Sequence, residues 1–134
     1  MEKLTIILVS VIAALMTYYI SVYLNKGAVF GSAIVTLVAG VVFPHFFPDN
    51  GATLAAMATC ASYAAMVSAA KFPKIQEMIG VGTLVGLIFI ATMTAFVGVG
   101  GRLGTIAAVA GLAWLGIKKV CALSSVQQKE RIIE

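Results

Sequence analysis

What this chain has least of is charge. Only 10% of its 134 residues are Asp, Glu, Lys or Arg, against 61% hydrophobic residues and a mean hydropathy of +1.06. A soluble domain of this size carries roughly a quarter charged residues, so a globule in water is excluded. Histidine and tryptophan occur once each and cysteine twice. Cys60 and Cys121 stand far apart, with no second Cys or His at ligand spacing, so neither a redox pair nor a zinc site is available. No nucleophile has an adjacent base and no acid pair occurs, so the chain reads as neither an enzyme nor a holder of a metal or cofactor.

Nor does any Asp, Glu, Lys, Arg or His fall at the middle of an apolar run. Proton-driven transporters need a midplane group whose charge changes. That absence counts against a pump and leaves a channel or a facilitator open. The net charge of +4 comes from basic residues between or after the apolar runs, the pattern of cytoplasmic loops rather than of nucleic-acid binding.

What is present is apolar sequence in five runs: Leu4 to Leu24, Ala28 to Phe43, Ala52 to Ala70, Ile79 to Gly98 and Leu103 to Ile117. A perpendicular span needs about 20 residues, with about 17 as the lower limit. The first, third and fourth runs reach this and the second and fifth fall short. The expected fold is an all-α integral membrane bundle of about five spans, with four spans and a re-entrant piece as the alternative. At 21 residues the first run is too long for a signal peptide, so it reads as a retained membrane helix. With five spans and the N-terminus outside, seven of the nine basic residues face the cytoplasm, while Lys3 and Arg102 face out. Making the second run re-entrant and placing the N-terminus inside gives the same score. The expected location is therefore the cell membrane, multi-pass, with a cytoplasmic C-terminus.

Two ordered matches point to an internal duplication. Gly27-Ala28-Val29-Phe30-Gly31 corresponds to Gly82-Thr83-Leu84-Val85-Gly86, and Thr53 to Ala58 corresponds to Thr105 to Ala110. The second offset is three residues smaller, which predicts a shorter loop in the second copy. The organisation expected is an N-terminal helix (1–26), two tandem helical hairpins (27–74 and 75–117) and a cytoplasmic tail (118–134). Hairpins holding an even number of spans point the same way, which puts the Pro44 to Gly51 and Val99 to Arg102 loops on one face.

Those loops hold the candidate vestibule residues His45, Asp49 and Arg102, with an Asp49–Arg102 pair joining the copies. Arg102 also precedes a helix opening near Thr105, where free amides favour an anion. Ser32, Thr36, Thr59, Ser62 and Tyr63 are candidate path-lining hydroxyls, although Ser and Thr also bond their own helix. Ser10, Ala14, Thr17 and Ser21 form a small-residue seam on the first run. Gly27, Gly31, Gly40, Gly82 and Gly86 are expected to let helices approach closely in lipid, where apolar burial supplies no driving force. The reading reached is an oligomeric channel or facilitative transporter for an ion or small solute. A non-transporting accessory subunit of a larger membrane complex is the alternative. The expected partners are the bilayer and further copies of the chain.

Overall fold

The computed structural model describes residues 2–69, 74–95 and 98–133, with side chains over 3–66, 74–95 and 98–124. Lys71, Phe72, Pro73 and the side chain of Ser68 lie outside them. Every regular element among the described residues is helical: α1 (Glu2–Tyr18), continued by a π-helical turn (Tyr19–Tyr23), α2 (Ala28–Phe46), α3 (Gly51–Ala69), α4 (Ile75–Ala91) and α5 (Arg102–Ile133).

α3 is the centre and packs against the other four helices. Its composition explains why. Ala58, Ala61, Ala64 and Ala65 are almost fully buried, and side chains this small let neighbours approach from several directions. α1 lies against α2, α3 and α4. On α1 the small and hydroxylic seam Ser10, Ala14 and Thr17 is wholly buried, while Leu4, Leu8, Ile12 and Met16, at four-residue steps, are exposed. α2 repeats the arrangement, burying Gly31, Ser32, Val35 and Ala39 and exposing Leu37, Val38 and Val41. Small and polar inside with large and apolar outside inverts the order of a soluble bundle. Three helical stretches are long and apolar enough to cross a membrane, Lys3–Tyr23, Ala28–Phe46 and Arg102–Ser124, and Ile75–Ala91 is apolar but shorter.

The helix ends depart from expectation at three places. α2 does not stop at Phe43: it runs through Pro44 to Phe46 as a continuous 19-residue helix. Pro44 sits in the last turn, where its missing N–H costs only the bond to the Gly40 carbonyl. At about 1.5 Å per residue α2 is long enough for a full span. The second correction concerns α4, which ends at Ala91 rather than Gly98. Thr92 turns its hydroxyl back to the Ile88 carbonyl at 2.8 Å, and Arg102 Nη2 donates to the carbonyls of Thr92 (2.8 Å) and Met93 (3.2 Å). A cation on the last carbonyls closes a helix favourably. Finally, α5 does not end with its apolar run but continues to Ile133, so the expected tail prolongs the same helix.

These ends also correct the loop lengths. The second link, 92–101, is longer than the first, 47–50, so the smaller offset between the matched segments comes from the early end of α4. Gly51 allows the short first link, because a Cβ there would collide with the backbone of Phe43 and Pro44.

Candidate functional site

The hydroxyls singled out in the sequence meet where α2 crosses α3. Ser32 and Ser62 oxygens lie 3.0 Å apart, and Thr36 and Ser62 oxygens 3.2 Å apart. Ser62 is also placed to donate to the Thr59 carbonyl at 2.8 Å, and Thr59 donates to the Ala55 carbonyl at 2.8 Å. Ser62 is therefore the hub. Thr59 is turned onto its own helix, as an intrahelical hydroxyl does.

Outside this cluster an open groove of about 600 Å³ runs between α2 and α3. Ser32, Thr36, Gly40 and Tyr63 line it, with Leu37 and Val41 at its edges. The backbone contributes here as well: because Pro44 has no N–H, the Gly40 carbonyl lacks the donor that an α-helix supplies. A Cβ at Gly40 would meet nothing within 4 Å, so the groove is vacant beside it. Tyr63 is 37% exposed. The surface thus carries oxygen atoms along a face otherwise made of large apolar side chains.

His45, Asp49 and Arg102 are not brought together. His45 ends α2 with its ring edge-on to Phe46, centroids 5.4 Å apart, and both His45 and Asp49 are exposed. Arg102 turns instead to the end of α4, and its guanidinium lies 5.5 Å from the Phe89 ring centroid. The expected Asp49–Arg102 pair does not form, because α5 starts beside the interior of α3 and its arginine closes α4. The Cys60 thiol marks that depth, donating to the Leu103 carbonyl at 3.2 Å. The two links do share one end of the bundle, where Thr5, Phe47, Asn50, Thr53 and Met93 line a common cavity. No group of three or more metal-ligating side chains occurs among the described residues.

The five glycines divide into two kinds. Gly31, Gly82 and Gly86 press on α1: a Cβ at Gly31 would lie 2.9 Å from the Thr17 carbonyl, at Gly82 2.9 Å from Val11 Cα, and at Gly86 3.2 Å from Ile7 Cα. Ser10 seals the α1–α4 contact by donating to the Gly82 carbonyl at 2.6 Å. Gly27 and Gly40 make no such contact. Gly27 serves instead as the turn before α2, at φ +90°, a conformation that a Cβ disfavours.

Two contacts escaped the sequence reading. Glu77, in the first turn of α4, takes both carboxylate oxygens to Lys118 Nζ at 2.8 and 2.9 Å. Gly80 makes room for Trp114, whose ring occupies the place of a Cβ. Both join α4 to α5 across an antiparallel register. A carboxylate in the first turn of an apolar helix, with a lysine just past the next apolar run, is the signal that was there to read.

No protein-family model, no curated protein and no solved structure matches this chain.

Proposed function

We propose that the chain is a multi-pass membrane protein that works as a homo-oligomer, a channel or facilitator for an ion or small solute. Its path runs along the α2–α3 groove between adjacent copies. The observation that carries this reading is the groove itself. Ser32, Thr36, Tyr63 and Gly40, whose carbonyl has no helix donor, line an outward-facing hollow between the first two-thirds of α2 and the last third of α3. In hydrocarbon each unsatisfied backbone group costs several kcal/mol. Covering the groove with a second copy, and wetting it, relieves that cost and leaves an oxygen-lined route. Within one copy the hydroxyls of Ser32, Thr36 and Ser62 engage one another, so the route belongs between copies.

The N-terminus lies outside and α5 ends in the cytoplasm, as the basic residues favour. For the duplication, Leu54 and Ala58 on α3 and their counterparts Ile106 and Ala110 on α5 are all buried, whereas Met57 is fully buried and its counterpart Val109 is 48% exposed, so the proposed repeat rests on the sequence matches. The protein is not an enzyme in this reading.

The test is reconstitution into liposomes with a panel of ions and small solutes, alongside native mass spectrometry of the purified protein. A defined homo-oligomer with selective flux is expected. A monomer that seals to every solute and co-purifies with a larger membrane protein would instead support the accessory role. That second reading draws on the α1–α2 groove of about 390 Å³, lined by Ile12, Met16, Val38 and Val42 and almost wholly apolar, which suits a foreign helix.

A further inference from the structure

The Ser62 hydroxyl has a single proton and more contacts than one proton can serve. Its oxygen lies 3.0 Å from Ser32 Oγ, 3.2 Å from Thr36 Oγ1 and 2.8 Å from the Thr59 carbonyl. A carbonyl oxygen only accepts, so the last contact is a hydrogen bond only if Ser62 donates to it. With its proton committed there, Ser62 meets Ser32 and Thr36 through its lone pairs alone. Both of those hydroxyls must then donate inward, to Ser62. No other assignment of the protons makes every contact a hydrogen bond. Ser32 and Ser62 are buried, where an unmade bond is costly, and that cost holds the arrangement in place.

The consequence falls on the groove between α2 and α3. Thr36 is half-buried and lines it, and because its proton goes to Ser62, Oγ1 has only lone pairs left to offer. One turn further along α2, about 6 Å by helix rise, Gly40 is exposed on the same lining. Its carbonyl has no helix donor, since Pro44 has no N–H. Ser32, one turn the other way, is itself buried, and its proton is committed in the same sense. Tyr63 adds a hydroxyl that can turn either its oxygen or its proton to a solute. None of the described lining residues is charged. Along α2 the lining therefore offers oxygen acceptors and withholds their protons.

Acceptors without donors choose among solutes. An anion needs donors or fixed positive charge, and beyond the Tyr63 hydroxyl the lining has neither. Divalent cations are held largely by carboxylates, and no carboxylate lines the groove. A neutral polyol brings acceptor oxygens of its own, which would stay unpaired there at a cost. A monovalent cation asks only for oxygens, and uncharged carbonyl and hydroxyl oxygens can replace its water shell. We infer, on the reading that solute moves along this groove, that the solute is a small monovalent cation, met by Thr36 Oγ1 and the Gly40 carbonyl. Two copies facing each other across the groove double the oxygens around it. Ser62 is a positioning residue: it touches no solute and keeps the Thr36 proton turned away.

The experiment is tracer exchange in proteoliposomes of the full chain, with rubidium, chloride, calcium and glycerol each at equal concentration on the two sides, measured against protein-free vesicles. Rubidium exchange well above that of the other tracers is expected. Thr36→Val keeps the side-chain shape and removes the oxygen, and it lowers rubidium exchange about two- to tenfold, the effect of one hydrogen-bonding contact. Thr36→Ser keeps the oxygen and the rate. Both variants are compared at equal folded protein, judged by circular dichroism, and the wild-type order of tracers tests the inference without either. Chloride exchanging as fast as rubidium overturns the cation and leaves the path standing. Calcium or glycerol passing in place of rubidium does the same, as does a wild-type rubidium rate in Thr36→Val. Vesicles that seal to every tracer overturn the path itself, and the cation with it.

Discussion

Replacing Gly82 with alanine adds one methyl group to the close crossing of α1 and α4. The new Cβ would lie 2.9 Å from Val11 Cα and 3.3 Å from the Ser10 carbonyl. Carbon atoms rest at about 3.5 to 4.0 Å, so α1 and α4 must part by about 0.6 Å at that point. Neither neighbour can yield, since Val11 Cα and the Ser10 carbonyl are backbone. Overpacking of this kind costs about 1 to 3 kcal/mol. The parting also stretches the 2.6 Å Ser10–Gly82 bond, a type of contact worth about 0.6 kcal/mol on average between membrane helices. Against these stands the better helix propensity of alanine, up to about 1 kcal/mol. The net is a loss of about 1 to 2 kcal/mol for Gly82→Ala. Gly40→Ala gains the same propensity and meets open space, so the folded monomer should be unchanged or slightly stabilised. Reversible unfolding in mixed micelles with dodecyl sulfate, followed by far-ultraviolet circular dichroism, compares the two. Equal stability of Gly82→Ala and Gly40→Ala would refute the reasoning.

Other changes test other contacts. Ser62→Ala removes the hub between Ser32 and Thr36 and should cost about 1 kcal/mol, with Thr36→Val adding little to it in the same unfolding assay. Glu77→Gln should cost at most about 1 kcal/mol and make stability less sensitive to salt, because the Lys118 end of the pair is 46% exposed. Gly80→Ala drives a methyl group into the ring of Trp114, the chain's single tryptophan, so its fluorescence should shift along with a loss of stability. Arg102→Gln removes the closure of α4, and hydrogen exchange at Thr92 and Met93 should speed up while the amides near Val81 stay protected.

Much of the architecture is legible in composition. The apolar runs locate all five helices, and the seam Ser10, Ala14 and Thr17 identifies the inner face of α1. Helix ends are less readable, because hydropathy does not report them. Thr92 to Gly98 are apolar enough to extend α4, yet a hydroxyl turned onto Ile88 and a guanidinium from ten residues away stop it. Lys118 ends an apolar run without ending a helix. Pairing across helices is the least readable: Glu77 and Lys118 are 41 positions apart and meet only through the antiparallel register of α4 and α5. The hydroxyl site falls between these cases. Ser62 and Tyr63 are visible as a polar face of α3, but it takes the crossing of α2 to add Ser32 and Thr36, and Pro44 to free the Gly40 carbonyl. The links that hold Asp49 and Arg102 share one end of the bundle, and the two residues fail to pair because α5 begins too deep.

Flux through the α2–α3 groove is tested most directly with Thr36→Cys in a Cys121→Ser background, where the remaining Cys60 is buried. In proteoliposomes, tracer flux is measured before and after a membrane-impermeant methanethiosulfonate reagent. Labelling of the cysteine from water, with flux blocked in proportion, is the expected result. A position that stays unlabelled, in vesicles as tight as protein-free ones, would contradict a solute path along this groove.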